Sequence, residues 1–193
     1  MPLSLCVDLS ADEQARLLEI ARQSILDGLQ TGKALQLDLG RLSDNLLIKS
    51  AVFITLTRCG ELRGCIGSLQ PIDPLAQAVA NSAFNAAYRD RRFAKMQAAE
   101  VDDLLIEISV LSEMELIEAD SRQALLDDLQ PGVDGLLLED QGHRSTFLPK
   151  VWEKINSPND FLVQLLLKAG LSTDHWSGTL RFQRYHTLTF AEN

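Results

Sequence analysis

The stretch Ala51-Val52-Phe53-Ile54-Thr55-Leu56-Thr57-Arg58, followed by Cys59-Gly60-Glu61 and then Leu62-Arg63-Gly64-Cys65-Ile66-Gly67, decides the fold class of this chain. Its first eight residues are dominated by β-branched and aromatic side chains, which suit a pleated, half-buried surface. The next three form a tight turn, and the last six alternate again, so the whole reads as an antiparallel hairpin. In the second strand, regular alternation puts Leu62, Gly64 and Ile66 on one face and Arg63 and Cys65 on the other. Ile66 is expected to point into a core. A guanidinium would then share a face with a thiol on a strand punctuated by glycines.

Outward from the hairpin, helical and strand patterns alternate without repeats or low-complexity tracts. Ser10 with Glu13 forms a capping box for a helix whose apolar stripe is Leu18, Ala21, Ile25 and Leu29, with Gly28 or Gly32 placed to end it. Asp73-Pro74 reads as a cap plus a first-turn proline, opening an alanine-rich helix that closes near Tyr88. Residues 104–111 read as a strand, 121–129 as a short helix, and 135–138 and 145–148 as strands flanking the turn Asp140-Gln141-Gly142-His143. Ser157-Pro158 starts a further helix that Gly170 stops, and residues 179–190 read as one strand anchored by Leu180, Phe182 and Tyr185. Trp152, Phe161 and Trp176 are expected as core anchors. Short connections between strands exclude repeated parallel crossovers, so the fold class is α+β with a largely antiparallel sheet packed with helices.

Composition narrows the function classes. The chain has 193 residues, 46% hydrophobic and 23% charged, and is long enough to bury a sizeable core as one domain. No apolar run reaches the ~18 residues of a membrane helix and the start lacks a signal-peptide pattern, so a cytoplasmic protein is expected. A net charge of −9 disfavours nucleic acid and anionic membranes as partners. Three cysteines do not form a disulfide framework. Cys59 and Cys65 are separated by more strand than a bridge can span. Cys6 carries no role.

Several residues invite chemistry. Cys65 is either a nucleophile or redox thiol with Arg63 as its neighbouring cation, or a small buried hydrophobe. Arg89-Asp90-Arg91-Arg92 concentrates cations at a helix end; either the helix dipole accounts for them, or Arg89 and Arg92, oriented by Asp90, form a fork for a carboxylate or phosphate. Glu107 is the polar face of a strand, and becomes a candidate acid or base if that face meets the cysteine strand. His143, in a turn, would act as a base only if it approached Cys65. The histidines are isolated and there is no Cys-x-x-Cys, so neither a metal nor another cofactor is expected.

The order of motifs resembles the AMMECR-one domain family, also called AmmeMemoRadiSam system protein A. The resemblance spans nearly the whole chain: Leu62 to Gly67, Arg89 to Phe93, Glu107 to Ser112, Gly132 to Gly135, Thr146 to Trp152, and Lys168 to Leu171. It implies one two-lobed α+β domain over residues 1–193, with a larger lobe from both chain ends and a smaller one from a middle segment. It also implies a process shared with Memo-like and radical SAM proteins, without assigning this chain a reaction. Two function classes follow. One is a small enzyme or enzyme component that uses a cysteine and arginine cleft on an anionic small molecule or modified side chain. The other is a non-catalytic adaptor that binds a protein partner. A polar, accessible setting for Cys65 discriminates the first from the second.

Overall fold

The structure is a computed structural model describing residues 8–192. Along the chain run α1 (Ala11–Thr31), α2 (Asp44–Leu47), β1 (Val52–Arg58), β2 (Glu61–Ser68), α3 (Leu75–Tyr88), β3 (Leu104–Leu111) and β4 (Glu115–Ile117). They are followed by α4 (Arg122–Asp128), β5 (Gly135–Asp140), β6 (His143–Phe147), α5 (Pro158–Lys168), β7 (Arg181–Tyr185) and β8 (Thr187–Ala191). Two compact units result: a larger one whose described residues are 8–111 and 188–192, and a smaller one of residues 112–187. The larger contains a four-stranded sheet in the order β2-β1-β3-β8, and the smaller one in the order β4-β7-β5-β6. The pairs β1–β2, β1–β3, β4–β7, β5–β6 and β5–β7 are antiparallel, so the class is α+β. Among the described residues no helix is long and apolar enough to cross a membrane.

The hairpin forms as its sequence requires, with Val52, Ile54 and Leu56 on the inner face of β1 beside Ile106, Ile108 and Val110 of β3, all essentially fully buried. Against this face lies α3, whose Ala76, Ala80, Ala83, Ala86 and Ala87 are buried. Small residues on the packed face allow close backbone approach. A Cβ at Gly64 of β2 would stand 2.3 Å from the Ala86 carbonyl oxygen, so glycine is what lets strand and helix meet there. Helix α1 has the expected capping box at Ser10 and ends at Gly32 with φ +67°. Its most buried residues include Leu17, Ile20, Ala21 and Ile25, while Leu18 and Leu29 flank that face and are only partly buried. Ser24 Oγ donates to the Ala80 carbonyl at 2.7 Å, and Tyr88 Oη donates to the Ile25 carbonyl at 2.7 Å, which ties α1 to α3 through otherwise orphan polar groups. Arg22 joins the chain's two ends, with its guanidinium on Glu192 (2.7 and 2.5 Å) and on the carbonyls of Val101 and Leu104.

The smaller unit has its own core. Trp152 stacks on Phe161 with ring centroids 3.8 Å apart, and its indole N–H donates to the Asp134 carbonyl at 2.7 Å. The Asp134 carboxylate is fully buried and is met by the Gln130 amide at 2.9 Å and His186 Nε2 at 3.0 Å.

Three expectations change. Residues 179–190 are not one strand: the chain breaks at His186, where Ser112 Oγ accepts the His186 amide and the His186 carbonyl accepts the Ser112 amide, both at 2.9 Å. Trp176 is not a core anchor, being 36% exposed and lying against Phe182 at 5.9 Å. The N-cap position of α3 is Pro74, and Asp73 instead accepts from Asn81 Nδ2 at 3.0 Å. The short elements α2 and β4 had no periodicity long enough to announce them. Cys6 lies outside the described residues, and Cys59 and Cys65 are both free thiols.

Candidate functional site

The hexapeptide strand is not regular. Leu56 pairs with Gly64, but Thr57 pairs with Leu62, which leaves Arg63 as the extra residue of a bulge. The bulge overturns the simple alternation: Leu62 joins the face of Thr57, Thr55 and Cys65, and Arg63 is redirected. Its guanidinium forms a bidentate pair with Glu100 (2.7 and 3.0 Å) and donates to the Ala94 carbonyl at 2.9 Å. Arg63 holds the Glu100 carboxyl at about 2, well below the usual range. This cation is committed to an internal carboxylate, which screens its field at any neighbouring thiol.

Cys65 sits where β2 forms the edge of its sheet. Its amide donates to Asp90 Oδ2 at 2.9 Å, and its carbonyl accepts from Arg92 Nη2 at 3.2 Å. Asp90 and Arg92 also pair with each other through two contacts of 3.0 and 2.6 Å. The pair imitates one rung of a neighbouring strand: a carboxylate stands in for a carbonyl and a guanidinium for an amide, closing the edge at this residue. Arg92 is the main reason the Asp90 carboxyl lies at about 2, with the Cys65 and Arg92 amides adding to it.

The half-buried Cys65 thiol lies 3.5 Å from Thr55 Oγ1. Thr55 in turn is in register with Glu107 of β3, so Cys65, Thr55 and Glu107 form one row across three strands on the same face. The thiol therefore shares its face with a hydroxyl and a carboxylate as well as with Leu62. His143 belongs to the smaller unit, where its Nδ1 meets the Ala169 carbonyl at 2.8 Å.

On the α3 side of β2 opens a cleft of about 590 Å³. Ile66, Gly67 and Ser68 border it, as does a stripe of α3 made by Ala78, Asn81, Ser82, Asn85 and Arg89. These positions recur every three to four residues and so share one helix face. Ile66 is half-buried, packed against the core and bordering the cleft. Lys33, just past the end of α1, and Asp73 complete the charged lining. Arg89 packs its guanidinium over the Phe84 ring at 5.2 Å, and among the described residues no carboxylate pairs with Arg89 or Lys33. The expected anion fork is thus divided. Arg89 faces the cleft, whereas Asp90 and Arg92 close the strand edge and Cys65 is not part of the lining. Lys33, Asn81 and Asn85 were missed, although the three- to four-residue spacing of Asn81, Asn85 and Arg89 was readable once α3 was assigned.

A helix-backed antiparallel sheet with a capped edge strand and a flanking polar cleft, joined in one chain to a second sheet-and-helix unit, defines a two-unit α+β protein of the kind the motif order suggested. The AMMECR1 family matches residues 18–190, and the chain belongs to that family. It is 34% identical over 200 residues to a protein of Thermofilum pendens, covering 95% of this chain and 92% of that protein. It is 36% identical over 191 residues to a protein of Methanothermobacter thermautotrophicus, covering 96% and 97%. The crystal structure of the uncharacterized protein PH0010 from Pyrococcus horikoshii is similar, with a TM-score of 0.83, 32% identity, and coverage of 92% of this chain and 90% of that one.

Proposed function

We propose that the larger unit binds a small anionic ligand, with a carboxylate or phosphate held by Arg89 and Lys33 in the cleft along α3. The observation that carries this reading is the presence of two cations without carboxylate partners on one cleft of a chain whose net charge is −9. Both cations are exposed and open to an incoming anion, and a guanidinium packed over the Phe84 ring suits a planar carboxylate. The volume suits a small molecule. Titrating acetate, citrate and phosphate while following thermal unfolding tests the reading. Stabilisation that saturates, and that Arg89→Gln or Lys33→Gln weakens at least threefold, is expected. Equal stabilisation of both variants and the parent chain refutes it.

The enzyme reading rests on a different observation, the polar row of Cys65, Thr55 and Glu107. In it Cys65 acts as a reactive thiol of an enzyme or enzyme component. Site-resolved iodoacetamide labelling checks it against exposed Cys59 in the same molecule. Half-buried Cys65 labelling faster than exposed Cys59 at neutral pH supports a thiolate. Labelling only on unfolding refutes it.

A further inference from the structure

We propose that the ligand of this cleft is a short extended peptide with free termini, which adds to the edge of β2 at Gly67 and places its carboxylate on Arg89. The proposal deepens the anion-binding reading and rests on it.

The argument starts from the ladder. Antiparallel pairs alternate between residues that exchange backbone hydrogen bonds with the neighbouring strand and residues whose N–H and C=O point away from it. Cys65, opposite Thr55, is of the second kind, since its amide and carbonyl reach out to Asp90 and Arg92. The register then runs unbroken to Phe53 opposite Gly67. Gly67 is two residues on and is again of the second kind, so its N–H and C=O also point off the edge. At Cys65 those groups are met by the Asp90 and Arg92 side chains. At Gly67 among the described residues no side chain meets them, and Gly67 borders the cleft. An unpaired donor and acceptor spaced as on any strand, opening on a cleft, are what an extended backbone recognises. Gly67 itself is required by packing, because a Cβ there would lie 2.5 Å from the Phe53 ring and 2.3 Å from the Val52 carbonyl oxygen.

Charge and length then specify the peptide. The cleft is cationic at Arg89, at the C-terminal end of α3, and acidic at Asp73, which Asn81 holds at 3.0 Å. Asn81 and Arg89 are two turns apart on the helix, ~12 Å at a rise of ~1.5 Å per residue. An extended chain covers ~3.3–3.6 Å per residue, so three to four residues reach from one charge to the other. A carboxylate fits the Arg89 end and an ammonium the Asp73 end, while the Asn85 amide lies between them for the peptide's own polar groups. Amino acids alone are too short to engage both ends, and an inorganic anion leaves Gly67 and Asp73 unused.

The test uses the full chain with trialanine, N-acetyl-trialanine, trialanine amide and acetate, followed by amide NMR titration and hydrogen exchange. Trialanine is expected to bind at least tenfold more tightly than acetate and to slow exchange of the Gly67 amide at least fivefold. Amidation of the peptide, or Arg89→Gln, removes that gain. Acetylation of the amine, or Asp73→Asn, removes part of it, and the two together remove no more than either alone. Trialanine binding no tighter than acetate, with acetate still sensitive to Arg89→Gln, overturns the peptide proposal and leaves the anion reading standing. Absence of Arg89-dependent binding for every probe overturns both.

Discussion

Replacing Gly64 by alanine is the sharpest probe of how β2 is held against α3. The added Cβ would lie 2.3 Å from the Ala86 carbonyl oxygen and 3.1 Å from the Ala86 carbonyl carbon, both backbone atoms of a buried helix. Ordinary contact begins near 3.4 Å, so the helix and strand must separate by about 1 Å. No side-chain rotation can relieve this, and overpacking of that kind costs ~1–3 kcal/mol. Because Gly64 is not in the left-handed region, alanine also narrows the unfolded ensemble and returns ~0.4–1 kcal/mol. The separation would further stretch the 2.9 Å bond from the Cys65 amide to Asp90, which follows α3 directly. A net loss of about 2 kcal/mol follows, or a Tm lowered by ~4–8 °C for a domain of this size. Both tryptophans lie in the smaller unit, so the assay is far-UV circular dichroism combined with amide exchange of β1 rather than tryptophan fluorescence. A Gly64→Ala chain as stable as the parent, with unchanged exchange at Cys65, would refute the close-approach reasoning.

Acid should unfold the larger unit in a definite window. Asp90 and Glu100 titrate near 2 in the folded chain, below their ordinary values of 3.8 and 4.5, so their stabilisation is complete above about pH 5 and is lost as pH falls from 4.5 toward 2. Each contributes on the order of 1–2 kcal/mol, and Asp90→Asn should flatten part of that slope in a pH series of melting curves. Arg22→Ala leaves Glu192 and the Val101 and Leu104 carbonyls without their partner, and a loss of ~2 kcal/mol in urea denaturation is expected. A change within 0.5 kcal/mol, the range of ordinary surface substitutions, would count against Arg22 as the tie between the chain's ends. Trp152→Phe keeps the stack on Phe161 but orphans the Asp134 carbonyl, which should cost ~1–2 kcal/mol measured on the smaller unit by near-UV circular dichroism.

The sequence by itself determined the local elements. The Ser10 and Glu13 capping box, the hairpin turning at Cys59-Gly60, the alanine-rich α3, the stop at Gly170 and the α+β class all follow from periodicity and end chemistry, which act over a few residues. The motifs also pointed to the family. What the sequence left open depended on neighbours distant along the chain. The bulge at Arg63 arises from how β2 fits β1 and α3, so alternation alone placed Arg63 beside Cys65 while the fold gave it to Glu100, 37 positions away. The cluster Arg89, Asp90 and Arg92 looked like one anion site because charge was all that could be read. In the fold a helix end separates its members, turning Arg89 to the cleft and Asp90 with Arg92 to the strand edge. Residues 179–190 carried one continuous strand pattern, yet the hydrogen bonds between Ser112 and His186 divide them between two sheets. Which backbone groups of an edge strand stay unpaired is likewise fixed by the register with β1, a relation between two strands that neither one encodes alone.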